Sequence, residues 1–378
     1  MRILMVTNTY APARNGVAQC VRVLRREMTA AGHEVEVLTA RLFGRSAEEG
    51  VHEVRSVRGF AEDFPLPVAL GVPHSLRGER FDIVHVHHPE LLGPLGLRIA
   101  RDCGARTVFT AHSVYTDYLD HYLAGLARPW KHAAVRRFGR LLSRFDLVIA
   151  PCSYLARVLA AEWGVSSRVV MLEAVADMGA GKPPTRARAR ATLGVAPDTR
   201  LALVVARLAP EKRVDVVVRE FAMMLPLVPD AELAIVGDGG GRASLLRLAD
   251  GLGVRDRVRV MAEVPRERLD EWYAAADVHV SASLSETGPL TVVEAMASGT
   301  PTVAYDGPGF EDRIATGDNG ILVERREGDL AAAMAAVLGD VRVRAALSEG
   351  ALAHAPEHAP ARVAAELLGY YDELLLTR

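Results

Sequence analysis

Residues 278–305 read VHVSASLSETGPLTVVEAMASGTPTVAY, and this stretch decides the fold. Its first four residues form a short β-type apolar run. The chain then turns at Gly288-Pro289, where glycine relaxes the backbone and proline fixes φ. TVVEAMA (291–297) begins a helix, and residues 302–305 form a second apolar run. Strand, loop, helix and strand in that order describe one turn of a parallel α/β sheet.

The same rhythm extends outward. Upstream, short apolar runs at 3–7, 35–39, 83–87, 107–110 and 147–150 alternate with amphipathic stretches at 17–31, 91–102 and 153–163. Continuously apolar strands separated by helices imply a sheet covered on both faces. Near residue 173 the rhythm breaks into EAVADMGAGKPPTRARAR, which reads as a linker. A second alternation follows, with runs at 201–206, 233–236, 258–261, 278–281 and 302–305. The expected fold is therefore α/β, with two Rossmann-like doubly wound domains in tandem. The first spans 1–172 and the second 185–355. Such sheets bind ligands beyond the carboxyl ends of their strands. In the tail, Val363, Leu367, Tyr370, Tyr371 and Leu374 share one helical face, and Pro356 and Pro360 before them mark a change of direction.

Composition narrows the class. The chain has 378 residues, half of them hydrophobic and 24% charged, with a net charge of −2. That is globular, and it carries no global field for nucleic acid. Cys20, Cys103 and Cys152 form no CxxC pair, so neither a disulfide framework nor a zinc site is expected. No apolar run reaches the ~18 residues of a membrane span. Met1-Arg2 leads straight into a strand without a signal-peptide pattern, so a cytoplasmic protein is expected.

Four local patterns carry chemistry. In TNTYAPARNGVAQCV (7–21) a strand ends at Thr7 and Gly16 opens a helix, whose free N–H groups suit an anion. In ARLAPEKRVD (206–215), Arg207 and Lys212 lie five positions apart beside a helix start, an arrangement that suits a diphosphate, the alternative being a solvated surface pair. Because Arg207 directly follows LALVVA, a wholly solvated side chain is not expected there. In the opening stretch, Glu286 lies in the loop and Glu294 one to two turns into the helix, so the two carboxylates can accept bonds from two sets of sugar hydroxyls. Between Arg128 and Arg144 there are six Lys or Arg and no acid. There Trp130, Ala134, Phe138, Leu141, Leu142 and Phe145 fall on one helical face. Such a helix either lies on an anionic membrane or packs its apolar stripe on the sheet.

The order of a glycine-bearing first loop, RLxxEK, and E-x7-E followed by AMASGTPTV resembles retaining glycosyltransferase family 4, whose two-domain fold is called GT-B. The resemblance covers essentially the whole chain. It implies two domains facing each other across a cleft, with a C-terminal helix at about 360–378 packing back on the N-terminal, acceptor-side domain. It also implies a nucleoside-diphosphate sugar as donor, held mostly by the C-terminal domain, and no added cofactor. By position, Arg207 and Lys212 match the family's diphosphate ligands, and Glu294 matches the acid that holds the ribose. Glu286 matches the acid that binds donor-sugar hydroxyls, and the Gly16 amide faces the distal phosphate. His112, after the run at 107–110, matches a histidine facing the donor sugar, where it would hydrogen-bond the sugar and support developing oxocarbenium charge. Asp117 is a candidate acceptor contact. No DxD occurs, so a metal-bridged diphosphate is not indicated.

The segment HSVYTDYLDHY (112–122) resembles bacterial enzymes that glycosylate diacylglycerol from UDP-glucose. This favours UDP over GDP and a membrane-lipid acceptor at the inner face of the membrane, against a soluble sugar, a natural product or a polysaccharide. Three features depart from the family. Asn15 replaces one glycine of a pair, Glu173-Ala174 stands for Asn-Gly, and MAEVPRE (261–267) lacks the glycine usual beside the base. Three other readings compete. Gly237, Gly239 and Arg242 give GxGxxR, short of the third glycine that an NAD-dependent oxidoreductase would carry. A non-catalytic sugar-nucleotide binder would keep the fold, yet Glu286, Glu294, Arg207 and Lys212 are all present. An epimerase on a similar plan would lack E-x7-E followed by AMASG.

Overall fold

The structure is a computed structural model describing all residues except 14, 42–47, 58–64, 69–70, 90–91, 115–127, 179–182, 263, 285 and 378. The chain divides into two compact units, Met1–Asp177 with Ala359–Arg378, and Met178–His358.

The first unit is built on a seven-stranded sheet. Its strands are β1 (Arg2–Thr7), β2 (Glu34–Ala40), β3 (Val51–Val54), β6 (Ile83–Val86), β7 (Arg106–Thr110), β8 (Leu147–Ala150) and β9 (Arg168–Met171), in the order β3-β2-β1-β6-β7-β8-β9. β4 (Ser56–Val57) and β5 (Leu66–Pro67) form a separate antiparallel pair. Every pairing in the large sheet is parallel. Along β1, Leu4 and Val6 enter one core while Ile3 and Met5 enter another on the opposite face. This is why the strands read as unbroken apolar runs.

Among the described residues, four α-helices of the first unit come before its last strand: α1 (Gly16–Ala30), α2 (Leu92–Cys103), α3 (Arg128–Leu142) and α4 (Ser153–Ala161). The last helix of the chain, Pro360–Leu376, also belongs to this unit. It buries Val363, Leu367, Tyr371 and Leu374 in the same core as Val21, Leu24 and Met28 of α1. Tyr370 is only partly buried, and its ring lies 5.6 Å from the Arg168 guanidinium.

The second unit carries a six-stranded parallel sheet: β10 (Arg200–Val205), β11 (Ala231–Val236), β12 (Val258–Met261), β13 (Val278–Ser281), β14 (Thr302–Tyr305) and β15 (Gly320–Val323). The order β12-β11-β10-β13-β14-β15 is the Rossmann order 3-2-1-4-5-6. Around it lie α5 (Arg186–Leu193), α6 (Val214–Met224), α7 (Arg242–Gly251), α8 (Arg266–Ala275), α9 (Leu290–Ala297), α10 (Asp329–Gly339) and α11 (Val341–His354), before α12 (Pro360–Leu376) returns to the first unit.

The linker reading fails at RARAR, which is the start of α5. The Thr185 side chain caps this helix by accepting from the Arg188 N–H, and Gly194 closes it at φ 63°. Arg190 is buried and donates to the buried Asp277 at 2.8 Å, so two of the supposed linker charges fasten α5 to the unit: Arg186 pairs with the same carboxylate.

Candidate active site

The second unit gathers its candidate residues at the carboxyl ends of β10 and β13. After β10, the loop at 206–208 interlocks with the glycine-rich turn after β11. Leu208 N–H donates to the Asp238 carbonyl, and Gly241 N–H donates back to the Leu208 carbonyl. A Cβ on Gly237, whose φ is 150°, would lie 1.9 Å from the Ala206 carbonyl oxygen. Only glycine permits that approach.

A 3-10 turn, Pro210–Lys212, follows, so Lys212 precedes α6 instead of opening it. Arg213 closes the turn in the left-handed region at φ 48°, a conformation otherwise confined to glycine among the described residues. Such backbone is sparsely populated and tends to occur where a site must be shaped. It leaves Lys212 Nζ 2.6 Å from Glu286 Oε1, with both side chains mostly buried. The loop holding Glu286 is in turn backed by Gly309, where a Cβ would lie 2.9 Å from the Glu286 carbonyl oxygen.

Arg207 departs from expectation. Its side chain is 64% exposed and pairs with Glu211 at 2.8 Å, four residues along. The strand before it is buried, but the guanidinium extends past the strand end into solvent.

Glu294 sits in α9 and is buried. Both of its oxygens are engaged by α8: Oε2 accepts from the Tyr273 hydroxyl at 2.8 Å, and Oε1 lies 2.6 Å from the Arg266 guanidinium. Burial, reinforced by the adjacent carboxylate, pushes the Tyr273 phenol well above its ordinary range, so it remains a donor. Arg266 also pairs with Asp270 at 2.7 Å. The E-x7-E pair is thus one unit of structure but two electrostatic sites: Glu286 answers Lys212, and Glu294 answers Arg266 and Tyr273. Sequence reasoning missed Arg266 and Tyr273, because α8 meets α9 only through the tertiary fold.

In the first unit, Gly16 is the first residue of α1. Asn15 caps that helix, accepting from Ala18 N–H at 3.0 Å and from the Thr9 hydroxyl at 3.2 Å. This accounts for asparagine in place of a second glycine: it supplies the cap. His112 follows β7 and joins a cluster that the sequence reading overlooked. His87 Nδ1 lies 2.9 Å from His112 Nε2. His85 bonds the Tyr371 hydroxyl at 2.6 Å through Nδ1 and Thr110 Oγ1 at 2.7 Å through Nε2. His88 Nδ1 accepts from the Asn8 backbone N–H at 3.1 Å. Burial lowers all four imidazoles, His85 and His88 to about 3, His112 to about 4 and His87 well below the ordinary value. All four are neutral at pH 7. The signal was HVHH at the end of β6, a strand that pairs in parallel with β7.

Asp117 lies outside the described residues. In α3 the expected single apolar face divides. Leu142 and nearby Phe145 join the core together with Val135, whereas Trp130 is 68% exposed. Arg136, Arg137, Arg140 and Arg144 are exposed. Among the described residues no helix is long and apolar enough to cross a membrane.

The chain is similar to known glycosyltransferases. Residues 14–173 match the family model described as Glycosyltransferase Family 4, and residues 185–354 match Glycosyl transferases group 1. The alpha-monoglucosyldiacylglycerol synthase of Streptococcus pneumoniae is 30% identical over 347 residues, covering 88% of this chain and 77% of that protein. A D-inositol 3-phosphate glycosyltransferase of Thermobispora bispora is 31% identical over 309 residues, 78% of this chain and 71% of its own. Among solved structures, sucrose-phosphate synthase from Thermosynechococcus elongatus superposes with a TM-score of 0.81 at 20% identity, over 100% of both chains.

Proposed function

The chain belongs to glycosyltransferase family 4, with the GT-B fold, and on that premise we propose that it moves a hexose from a UDP-sugar to a hydroxyl of a membrane lipid, with retention at the anomeric carbon. The observation that carries the reading is the Lys212–Glu286 pair at 2.6 Å, beside a left-handed Arg213. It sets a cation for a diphosphate against a carboxylate for sugar hydroxyls, at the carboxyl ends of a Rossmann sheet.

In this proposal Arg207 and Lys212 bind the donor diphosphate, together with the Gly16 amide. Glu294 takes the ribose and Glu286 the sugar hydroxyls. His112 hydrogen-bonds the donor sugar, as a neutral imidazole. The leaving diphosphate takes the acceptor's proton on the face it vacates, so no carboxylate need act as nucleophile. The protein's task is then to stabilise charge growing on the leaving group, and losing one such donor costs about 3 kcal/mol, roughly a hundredfold in rate. The lipid acceptor is supported by the diacylglycerol-glucosylating relative and by the exposed Trp130 and arginines of α3, which suit the inner face of a membrane.

The test supplies UDP-glucose, UDP-N-acetylglucosamine or GDP-mannose to the protein, with diacylglycerol in anionic vesicles, and reads UDP release and the product anomer by NMR. An α-linked glycolipid made from an α-configured UDP-sugar is expected. A β-linked product would refute retention, and turnover with GDP-mannose alone would refute the donor. Transfer to soluble inositol phosphate but not to lipid would refute the acceptor.

A further inference from the structure

The histidine cluster of the first unit fixes more than the place of His112. The His87 and His112 centroids are 5.2 Å apart at an interplanar angle of 26°, with Nδ1 and Nε2 separated by 2.9 Å. That combination places the two rings nearly edge to edge, the geometry of an in-line N–H···N bond. Both imidazoles are neutral, so each carries one ring proton, and one proton lies in this bond.

Which ring donates follows from the far side of His87. Its Nε2 is buried and has no hydrogen-bond partner. The His85 ring, 4.2 Å away at 29°, stacks on the face of His87 and offers no acceptor at its edge. If His112 donated, His87 would carry its proton on Nε2, an orphaned buried N–H of the kind folded proteins almost never keep. If His87 donates from Nδ1, only a bare lone pair is left unsatisfied. We infer that His87 is a positioning residue for the transfer reaction: by donating from Nδ1 to His112 Nε2 it fixes the proton of His112 on Nδ1 and holds that ring in place.

His87 is itself held. The stacked His85 is anchored by Tyr371 of α12 and by Thr110 of β7, so the C-terminal helix contributes to the placement of the His112 ring. The chemical consequence is that His112 Nε2 is engaged and cannot serve as a base toward substrate. The assignment rests on the reading of His112 as a donor-sugar contact, and its test separates the two.

With 15N-histidine-labelled full-length protein, long-range 15N–1H correlation reads which ring nitrogen of His112 bears the proton. The proton is expected on Nδ1 in the wild type and distributed over both nitrogens in His87→Leu. His87→Leu is also expected to lower kcat about a hundredfold, as misplacement of a reacting group does, with the KM for donor and the thermal shift by UDP unchanged. His87→Asn, whose amide nitrogen can sit at the Nδ1 position, is expected to recover most of the rate. A wild-type His112 protonated on Nε2, or a His87→Leu enzyme with wild-type kcat, overturns the inference. Should His87→Leu not fold, the wild-type spectrum and His87→Asn still decide. A fully active His112→Ala sinks the reading of His112 itself, whereas an inactive His112→Ala beside an active His87→Leu sinks only the role given to His87.

Discussion

Replacing Arg266 with leucine would leave the Glu294 carboxylate buried with the Tyr273 hydroxyl but without its cation. Glu294 is 5% exposed at its side chain and Arg266 20%, so solvent replaces little of what is lost. Removing one partner of a buried pair costs about 3–5 kcal/mol, and with the tyrosine bond remaining we expect about 2–3. In a unit of this size about 1 kcal/mol lowers the melting temperature by roughly 2–4 °C. The second unit of Arg266→Leu should therefore melt about 5–10 °C lower in calorimetry of the whole chain. Adding Glu294→Gln removes the stranded charge, and the double variant should regain much of the loss, since deleting both partners is far milder than deleting one. UDP should narrow the gap as well, because ribose hydroxyls would donate to the same carboxylate. A drop below about 1 °C would refute the energetics. A gap that widens with UDP would mean that Arg266 binds the nucleotide and does not serve Glu294.

Two further outcomes follow from the fold. Gly139 of α3 lies so close to the next segment that a Cβ would sit 1.8 Å from the Trp163 carbonyl oxygen. Gly139→Ala must displace α3, so the first unit should lose about 1–3 kcal/mol or more, seen as a lower urea midpoint; an unchanged midpoint would contradict the packing. The buried histidines give a pH dependence: with folded values of about 3 to 4 against an unfolded value near 6.5, the unfolded chain takes up protons first. Stability is complete above about pH 6.5 and is lost as pH falls toward 4, each such histidine steepening the slope by at most about 1.4 kcal/mol per pH unit. Urea midpoints at pH 7.5 and 5.5 check this, and equal midpoints would contradict it.

Most strands legible in the sequence were buried on both faces: β1, β6, β8, β10 and β14 are apolar runs that stand out from their surroundings, and the edge strand β12, VRVM at 258–261, was legible as well although Arg259 is exposed. β3, β9 and β15, which lie at sheet edges and are half-exposed, escape the sequence reading: VHEV at 51–54 is broken by His52 and Glu53, whereas RVVM at 168–171 has the composition of VRVM at 258–261. α5 was hidden by composition. RARARATL looks like a charged linker until Arg190 is seen to bury its guanidinium against Asp277, a partner 87 residues away.

The site divides in the same way. Glu286, Glu294, Arg207 and Lys212 stand in short local patterns, and those patterns are what the family resemblance uses. Their partners are tertiary. Nothing in PRERLDEWY (265–273) marks Arg266 and Tyr273 as ligands of Glu294. HVHH signals a histidine cluster, but only the parallel pairing of β6 with β7 brings His87 beside His112.

The central claim, that the second unit binds the nucleoside diphosphate of a sugar donor through Lys212, is tested most directly by calorimetric titration of UDP, GDP and ADP into the wild type and Lys212→Ala. Loss of charge-assisted hydrogen bonds worth about 1.5–3 kcal/mol weakens binding by roughly 10- to 100-fold. One UDP should bind per chain, in preference to GDP and ADP, with a loss of that size in Lys212→Ala. Absence of nucleoside-diphosphate binding, or UDP binding untouched by the substitution, would contradict it.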